Sequence, residues 1–576
     1  MRFREQGPTA LRGGVRVLVG MGSGLASGLA VGALMASQNL LASHGTYGWA
    51  VFALYAAVVG ELLGVFVGRR PSGLAVSAAG GLLLGLLGWT VWWLTLSPWL
   101  RGTSPTWSVE AATAVYPELV GSLLQGTLAG MLFHVAARRL PGRPANPEKP
   151  APRVVIVGGG FGGVSAARRF ERLNLRGHRI DVTLISDSNY LLFTPMLAEV
   201  ASGGLEERHI SSPVRAAASH TRFRHGRVAG VDVARRRVVL ESGGEAVGYE
   251  HLVLAVGSVP HFPELPGVAE HALTLKSLAD AVRLRDRVLA LLERADQEAD
   301  PAERRRLLTF VVAGGGFAGT ESVAELYDLT HDVLHFYPAI DPDEPRFVLV
   351  HTEERILPEL SDRLGDYALT KLRARGIEFR LGARATAATG RSVRLDSGEV
   401  IETATFVWTA GNRSNPLLRI LPGESGRRGS VVVDRTLRAF ELDRVWAIGD
   451  CAQIPAEDGA LYPPTAQHAT REGKAVADNI AAVLGGQRPH PFRFRTIGTF
   501  VALGHRTAAG EIRGRPFSGL VAWLLWRGIY LAKLPGVERR VRVLLDWVLD
   551  AAFPRDIVVT GPPADAPAPL PGQGAR

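Results

Sequence analysis

The sequence predicts an α/β protein with two Rossmann-like dinucleotide-binding domains, an N-terminal α-helical transmembrane bundle and C-terminal helices that dock on a membrane. Three observations carry this. Four apolar stretches, each near the ~20 residues that cross hydrocarbon as a helix, fill the first 140 residues. A strand, glycine turn and helix pattern occurs twice, at residues 153–173 and again from 308. Residues 517–548 then combine tryptophan, leucine and arginine in the manner of interfacial helices.

With 576 residues the chain is long enough for several folding units. It is 47% hydrophobic and only 21% charged, against roughly 25% charged in an average soluble domain, so part of it is expected in lipid. Lys149, Lys276, Lys371, Lys474 and Lys533 are the only lysines among 65 basic residues, and arginine supplies most of the +10 net charge. The basic residues are spread along the chain without a stripe interleaved with aromatics. That pattern excludes a nucleic-acid surface and favours attraction to anionic lipid headgroups. A single cysteine, Cys451, excludes a redox pair, a disulfide framework and a cysteine-based metal site; no metal is expected.

The four apolar stretches lie at 15–36, 48–68, 73–96 and 115–137. Their flanks alternate: Arg2, Arg4, Arg12 and Arg16 come first, then His44, then Arg69 and Arg70, then Arg101, then Arg138, Arg139 and Arg143. By the positive-inside rule both ends of this module, residues 1–140, are cytoplasmic, and the protein is a multi-pass cell-membrane protein. Glycines and alanines in the first and third stretches allow close helix packing. Trp89, Trp92, Trp93 and Trp99 read as an interfacial belt, and His134 as an interfacial histidine. Glu61 would lie inside the second helix, where a carboxylate is a functional candidate. Residues 141–152 hold five prolines and read as a stiff linker.

Residues 153–157 form a short β-branched run, followed by Gly158-Gly159-Gly160-Phe161-Gly162-Gly163 and a helical pattern. Gly158, Gly160 and Gly163 permit the tight turn and let backbone N–H groups meet a pyrophosphate at the helix start. The next strand ends at Ser186-Asp187, where a ribose hydroxyl needs an acceptor. The pattern recurs at 308–313 with Gly314-Gly315-Gly316-Phe317-Ala318-Gly319, and Gly314, Gly316, Phe317 and Gly319 take the equivalent roles. A second dinucleotide unit inserted within a first is how many flavoproteins hold FAD and a nicotinamide nucleotide face to face. Strands ending at Ala255 to Gly257 and at Ala410-Gly411 fit the crossings between the two. Gly449-Asp450 follows a third such strand. Its carboxylate can accept hydrogen bonds from flavin ribityl hydroxyls or cap a helix.

On these motifs residues 153 onward resemble the type II NADH dehydrogenases, the single-subunit, non-pumping NADH:quinone oxidoreductases. The matching segments are Asn189-Tyr190-Leu191-Leu192-Phe193-Thr194-Pro195-Met196-Leu197, Gly319-Thr320-Glu321, Arg355-Ile356-Leu357-Pro358, Ala447-Ile448-Gly449-Asp450 and Ala466-Gln467-His468-Ala469. The resemblance implies FAD contacts from Pro195, Asp450, Ala466 and Gln467, with Gln467 and His468 where quinone meets the flavin. It places Glu321 beside the nicotinamide, and a buried glutamate there is costly unless it binds a ligand or handles a proton. Two departures stand out: Arg471 replaces the last glutamine of the family's A-Q-x-A-x-Q signature, and Thr496-Ile497 replaces a frequent Asp-Lys. Arg471 can donate to a quinone carbonyl or pair with a headgroup. His351 stands where an acidic residue usually ends the second strand, but Glu353 and Glu354 follow just beyond it and no arginine clamp for a 2′-phosphate is obvious, so NADH is favoured with NADPH as the alternative.

The domains expected are therefore 153–305 and 413–490 for FAD, 306–412 for NAD(P)H, 491–560 for membrane association and a disordered tail at 561–576. The reaction expected is hydride transfer from NADH to FAD, then two-electron reduction of a membrane quinone without evident pumping. Glu321 and Gln467 are the catalytic candidates. Lipid is the second partner, and a homodimer is left open. A related flavoprotein with another acceptor, or a nucleotide sensor regulating its membrane module, are the alternatives.

Overall fold

Small side chains face inward and leucines outward in the N-terminal unit, the reverse of a water-soluble bundle. The computed structural model describes residues 13–37, 45–66, 73–100, 102, 107, 109–139, 151–243, 246–262, 264–423 and 425–559. It divides into two units, 1–150 and 151–576. In the first, long helices run over Gly13–Ser37, Gly45–Phe66, Leu74–Val91 and Tyr116–Arg139, the third continuing through a π-turn at Trp92–Leu96. Three segments, Val15–Ser37, Leu74–Trp99 and Tyr116–Ala137, are long and apolar enough to cross a membrane. The second helix, expected to be a fourth span, carries a shorter apolar run, Phe52–Val65.

Gly20 and Gly24 lie against Gly60 and Gly64, and Gly81 and Gly85 against Gly126 and Gly130, so closely that a Cβ on most of them would strike the facing backbone. Such contact is how helices associate where lipid supplies no hydrophobic drive. Two buried polar side chains bond between helices: Gln125 Nε2 donates to Ser27 Oγ at 3.2 Å and Tyr55 OH to the Gly85 carbonyl at 3.0 Å. Leu18, Leu29, Leu54, Leu83 and Leu87 are each more than half exposed. Glu61 sits on the same outward side as Leu54, Val58 and Leu62 rather than inside the bundle. Trp89 leaves the expected belt and is buried, its indole donating to the Val115 carbonyl at 3.0 Å. His44, Arg2, Arg4, Arg12, Arg69, Arg70, Arg101, Arg143, nearly all of the 141–152 linker and the 561–576 tail lie outside the described residues.

The second unit holds two parallel sheets. The first is ordered Val445–Ala447, His251–Leu254, Arg153–Val157, Asp181–Ser186, Arg222–His225. The second is ordered Glu378–Arg380, Arg346–Val350, Thr309–Ala313, Thr405–Trp408. Their strands are continuous apolar runs such as Phe310, Val311 and Val312, all fully buried, as a parallel sheet covered on both faces requires. In each sheet the chain leaves the glycine-turn strand toward opposite sides, which opens a crevice at its carboxyl end. The second sheet is inserted into the first, and Ser258–Pro260 pairs antiparallel with Asn412–Ser414 where the chain crosses over and back.

A three-stranded antiparallel meander, Gly498–Ala502, Ala508–Ile512 and Arg515–Ser518, precedes the helices Gly519–Lys533 and Val537–Ala552. These helices are apolar on two sides. Ala522, Trp526, Val543 and Trp547 are buried in the core, while Leu520, Val521, Leu524, Val541, Leu545 and Val548 stay at least half exposed. A pure buried hairpin would not leave that second side open.

Gly126→Val should force apart the helix pair that meets at Gly81. Overpacking of this kind costs about 1–3 kcal/mol, and a lowered melting temperature of the detergent-solubilised protein would register it.

Candidate functional site

Gly158 is the geometric start of the first site. Its φ of +116° is open to glycine, its N–H donates to the Ile185 carbonyl at 2.8 Å, and a Cβ there would strike the Ala255 carbonyl. A Cβ on Gly163 would meet the Gly158 carbonyl, so helix Phe161–Leu175 can approach the turn only as glycine allows. Gly160 caps that helix with no side-chain partner and with open space around its Cβ position. Free first-turn amides facing open space are what a pyrophosphate needs. Ser186 is buried beneath Gly159, and Asp187 is exposed at the strand end.

The second turn repeats this geometry. Gly314 has φ +115° and donates to the Val350 carbonyl at 2.8 Å, and Gly319 lies against the Gly314 carbonyl. Gly316 begins Phe317–Val333 without a side-chain cap. His351 holds the turn from beside it: Gly315 N–H donates to His351 Nδ1 at 3.0 Å, which fixes the ring proton on Nε2. That Nε2 is buried without a partner, and burial lowers the imidazole pKa. A donor therefore stands at the strand end where a carboxylate acceptor is usual, while Ala410 and Gly411 follow the strand on the other side of Thr309–Ala313.

Asp450 sits in the turn Gly449–Cys451 and caps no helix. Ser258 Oγ donates to its Oδ2 at 2.7 Å and Lys276 Nζ lies 3.7 Å away. Sequence reading missed Ser258 and Lys276, whose pairing is visible only once the chain has crossed between sheets. It also missed Glu472, a buried carboxyl that accepts the Gly449 N–H at 2.7 Å and is pushed up to about 7 by burial. Cys451 is buried, and its thiol is pushed up to about 11, so it is not a nucleophile at neutral pH.

Thr465 caps helix Ala466–Leu484, its Oγ1 accepting from the His468 N–H. Its Oγ1 also lies 2.7 Å from His468 Nδ1. His468 itself is buried against Phe494, and desolvation lowers it to about 4, which keeps it neutral. Arg471 stacks 4.0 Å over the Phe494 ring and donates to the Gln467 carbonyl at 3.0 Å. Gln467 Nε2 reaches the Gly498 carbonyl at 3.4 Å. Four residues along the same strand, Ala502 N–H donates to Glu321 Oε1 at 3.2 Å. One strand thus carries contacts to both catalytic candidates, about 13 Å apart by strand rise. Burial raises Glu321 to about 8.

An aromatic wall flanks the turn: Phe161 meets Phe193 edge-on at 5.8 Å, Phe193 meets Tyr530 at 6.1 Å, and Tyr530 meets Trp526 at 5.0 Å. Pro195 is half-buried in the adjoining turn Thr194–Met196. Among the described residues no group of His, Cys, Asp and Glu is placed to hold a metal.

The pyridine nucleotide-disulphide oxidoreductase family model matches residues 152–473. The type II NADH:quinone oxidoreductase Ndh of Mycobacterium tuberculosis is 33% identical over 414 residues, covering 69% of this chain and 87% of that protein. Demethylphylloquinone reductase NdbB of Synechocystis sp. is 30% identical over 406 residues, covering 69% and 96% respectively. In fold, NDH2 from Plasmodium falciparum, solved in complex with NADH, superposes with a TM-score of 0.66 at 17% identity over 71% of this chain and all of that one. The sheets and paired glycine turns thus define a pyridine nucleotide-disulphide oxidoreductase, with FAD and NADH as its cofactors. Within that class the chain belongs to the type II NADH:quinone oxidoreductases.

Gly158→Ala should leave the purified protein without bound FAD, read as loss of flavin absorbance. Between the ordinary carboxylate range and pH about 8, folded Glu321 keeps a proton that the unfolded chain releases, so its burial destabilises the fold as pH rises through that window. Glu321→Gln should flatten the fall of melting temperature between pH about 4.5 and about 8 and raise it above wild type at the upper end.

Proposed function

We propose that the chain is a membrane-bound, FAD-dependent NADH:quinone oxidoreductase whose catalytic unit faces the cytoplasm. When bound, FAD accepts a hydride from NADH and passes two electrons to the quinone. The protein's own residues do the rest. The Gly158 and Gly314 turns would hold the two pyrophosphates, and Asp450, oriented by Ser258 and Lys276, would hold the flavin ribityl chain. Ala255, Gly257, Ala466 and Gly449 would line the flavin, with Glu472 fixing the Gly449 amide. Phe161, Phe193 and Tyr530 exclude water from the reacting faces. Gln467 and Arg471 would donate to a quinone oxygen, and neutral His468 would keep the start of their helix in place.

The observation that carries this reading is the strand Gly498–Ala502, which touches Gln467 at one end and Glu321 at the other. It ties a quinone-side donor and a nicotinamide-side carboxyl to one rigid element. His351 Nε2–H would donate to the adenosine ribose. Glu353 acts on His351 at this strand end and Glu359 lies against Gly316, and these carboxyls would disfavour a 2′-phosphate, so NADH would be the preferred substrate and NADPH the weaker one.

Membrane attachment rests on two features. The N-terminal helices expose leucine and bury glycine and serine, which suits lipid as solvent. The helices Gly519–Lys533 and Val537–Ala552 present a second apolar side with Lys533, Arg539, Arg540 and Arg542 near it. The arginines that flank the N-terminal stretches support a cytoplasmic placement of both ends of that module.

Purified protein should oxidise NADH rapidly only when a short-chain quinone is present. Gln467→Ala should lower that turnover about tenfold, the effect of losing one hydrogen bond of ~1.4 kcal/mol in the transition state, while NADH still bleaches the flavin at the wild-type rate. Bleaching without quinone-dependent turnover in the wild type would refute the assignment. A chain starting at Ala151 should keep its flavin and shift from a detergent-requiring protein to one released from membranes by high salt.

A further inference from the structure

Polar side chains line one stripe inside the N-terminal unit. On the helix Tyr116–Arg139, Glu118, Ser122 and Gln125 are spaced four and three residues apart, which puts them on one face. Ser122 and Gln125 are fully buried and Glu118 is half-buried, so the stripe meets the surface at its Glu118 end. From Glu118 to Gln125 it runs about 10 Å along the helix axis.

Two oxygens on this stripe, Glu118 Oε2 and Gln125 Oε1, are buried without a hydrogen-bond partner, and between them Ser122 lies beside Tyr55. The orientation of Gln125 is set by what its nitrogen meets. Nε2 donates to Ser27 Oγ at 3.2 Å and reaches the Gly24 carbonyl at 3.4 Å. A carbonyl can only accept, so Oε1 has to face the other way. The neighbouring donors are already spent: Ser27 Oγ on the Gly24 carbonyl at 2.8 Å and Tyr55 OH on the Gly85 carbonyl at 3.0 Å. What is left over along the stripe is oxygen lone pairs.

A buried oxygen without a donor is costly in any protein interior, and most of all where hydrocarbon surrounds it. A role confined to fixing helix register accounts for the Gln125 nitrogen and the Tyr55 hydroxyl, but not for two acceptors turned inward with nothing to accept. Their occupant has to bring hydrogens, and it has to be small. The helices around the stripe touch: a Cβ on Gly121 would strike Met35 Sδ, and one on Gly88 would strike the Tyr55 ring. Packing this close admits water in single file and excludes an organic ring. A quinone, moreover, carries acceptors only and offers these oxygens no hydrogen.

The polar stripe ends within the unit. One turn beyond Gln125 comes Ala129 and then Phe133, both buried, and Leu63 of the helix Gly45–Phe66 packs with them. Val19, Leu84 and Ala137 close around these three. Water gains nothing by entering such a cluster.

We propose that Glu118, Ser122 and Gln125 line a blind, water-filled well in the N-terminal unit, entered past Glu118 and closed by Leu63, Ala129 and Phe133. Water is its occupant, donating to Gln125 Oε1 and Glu118 Oε2. The Glu118 carboxyl at the mouth draws small cations in and turns anions away. Because the apolar cluster closes the far end, the well carries nothing across the membrane. This rests on the unit lying in lipid and on nothing in the catalytic unit.

Cysteine substitution in the full-length protein tests it, because the one natural thiol, Cys451, is buried and the wild type reports the background. Silver ion, a small cation that reacts with thiols, is added to one face at a time of vesicles holding the protein in a single orientation. The thiols that survive are then counted with a maleimide after denaturation. Ser122→Cys should be consumed at least about tenfold faster than Ala129→Cys in the apolar cluster or Leu124→Cys on the outward side, since a thiol in dry surroundings is inert. It should be reached from one face only. Adding Glu118→Gln to Ser122→Cys should slow silver several-fold, while small, uncharged methyl methanethiosulfonate reacts as before. The proposal fails if Ser122→Cys reacts no faster than Ala129→Cys, the mark of a dry core that only fixes register. It fails equally if Ser122→Cys is reached at the same rate from both faces, which would mean an open path and no closed end. Should Ser122→Cys not fold, Gln125→Cys carries the same comparison. Reaction at Leu124→Cys as fast as at Ser122→Cys would refute the placement of the unit in lipid, a result distinct from a dry core.

Discussion

The catalytic unit depends on one steric constraint, applied twice: a helix must begin so close to the strand before it that no Cβ fits between. At Gly158 and Gly163, and again at Gly314 and Gly319, backbone carbonyls occupy the space a side chain would fill. That approach aims the first-turn amides of two helices at two places where a phosphate can lie. It also fixes what each strand end can present. Asp450, His351, Gln467 and Glu321 would come within reach of ligands because the turns would bring the cofactors to the carboxyl ends of the sheets.

Electrostatics then decides what those positions can do. The site is rich in carboxyls held away from water, and their common fate is a raised pKa: Glu321, Glu472, Glu199 and Glu325 all move up through burial. Groups of opposite sign are displaced the other way, as His468, His351 and Lys533 are all lowered. Such a site disfavours the charged form of acid and imidazole alike. The cationic exceptions, Arg471 and Arg527, are stacked on aromatic rings at 4.0 and 4.1 Å, which replaces part of their lost hydration.

Local geometry was legible in the sequence and long-range pairing was not. The glycine turns could be read because the constraint that demands glycine acts within six residues. Asp450 could be read as a polar strand end, but its ties to Ser258 and Lys276 span 192 and 174 positions and appear only when the inserted sheet folds the chain back. Glu472 looked like an ordinary helix residue until its helix packed against Gly449. His351 was legible as a departure from an acidic residue, yet nothing in the sequence told that its Nδ1 would hold the Gly315 amide. In the N-terminal unit hydropathy found the helices, whereas the outward turn of Glu61 and the inward turn of Trp89 depend on which faces the glycines bring together.

The C-terminal segment joins these levels. Its two helices carry an apolar side toward the core and another away from it, and the same segment supplies Arg527 and Arg555 to the buried carboxyls Glu199 and Glu325. Each arginine is mostly withdrawn from water and is stable there only against an acid. Each arginine in turn opposes the rise that burial imposes on its acid. Seating the hairpin on the catalytic unit and placing counter-charges beside Glu199 and Glu325 are therefore one event, not two. A surface that holds the hairpin in place from the outside would, through Arg527 and Arg555, also hold the protonation pattern inside.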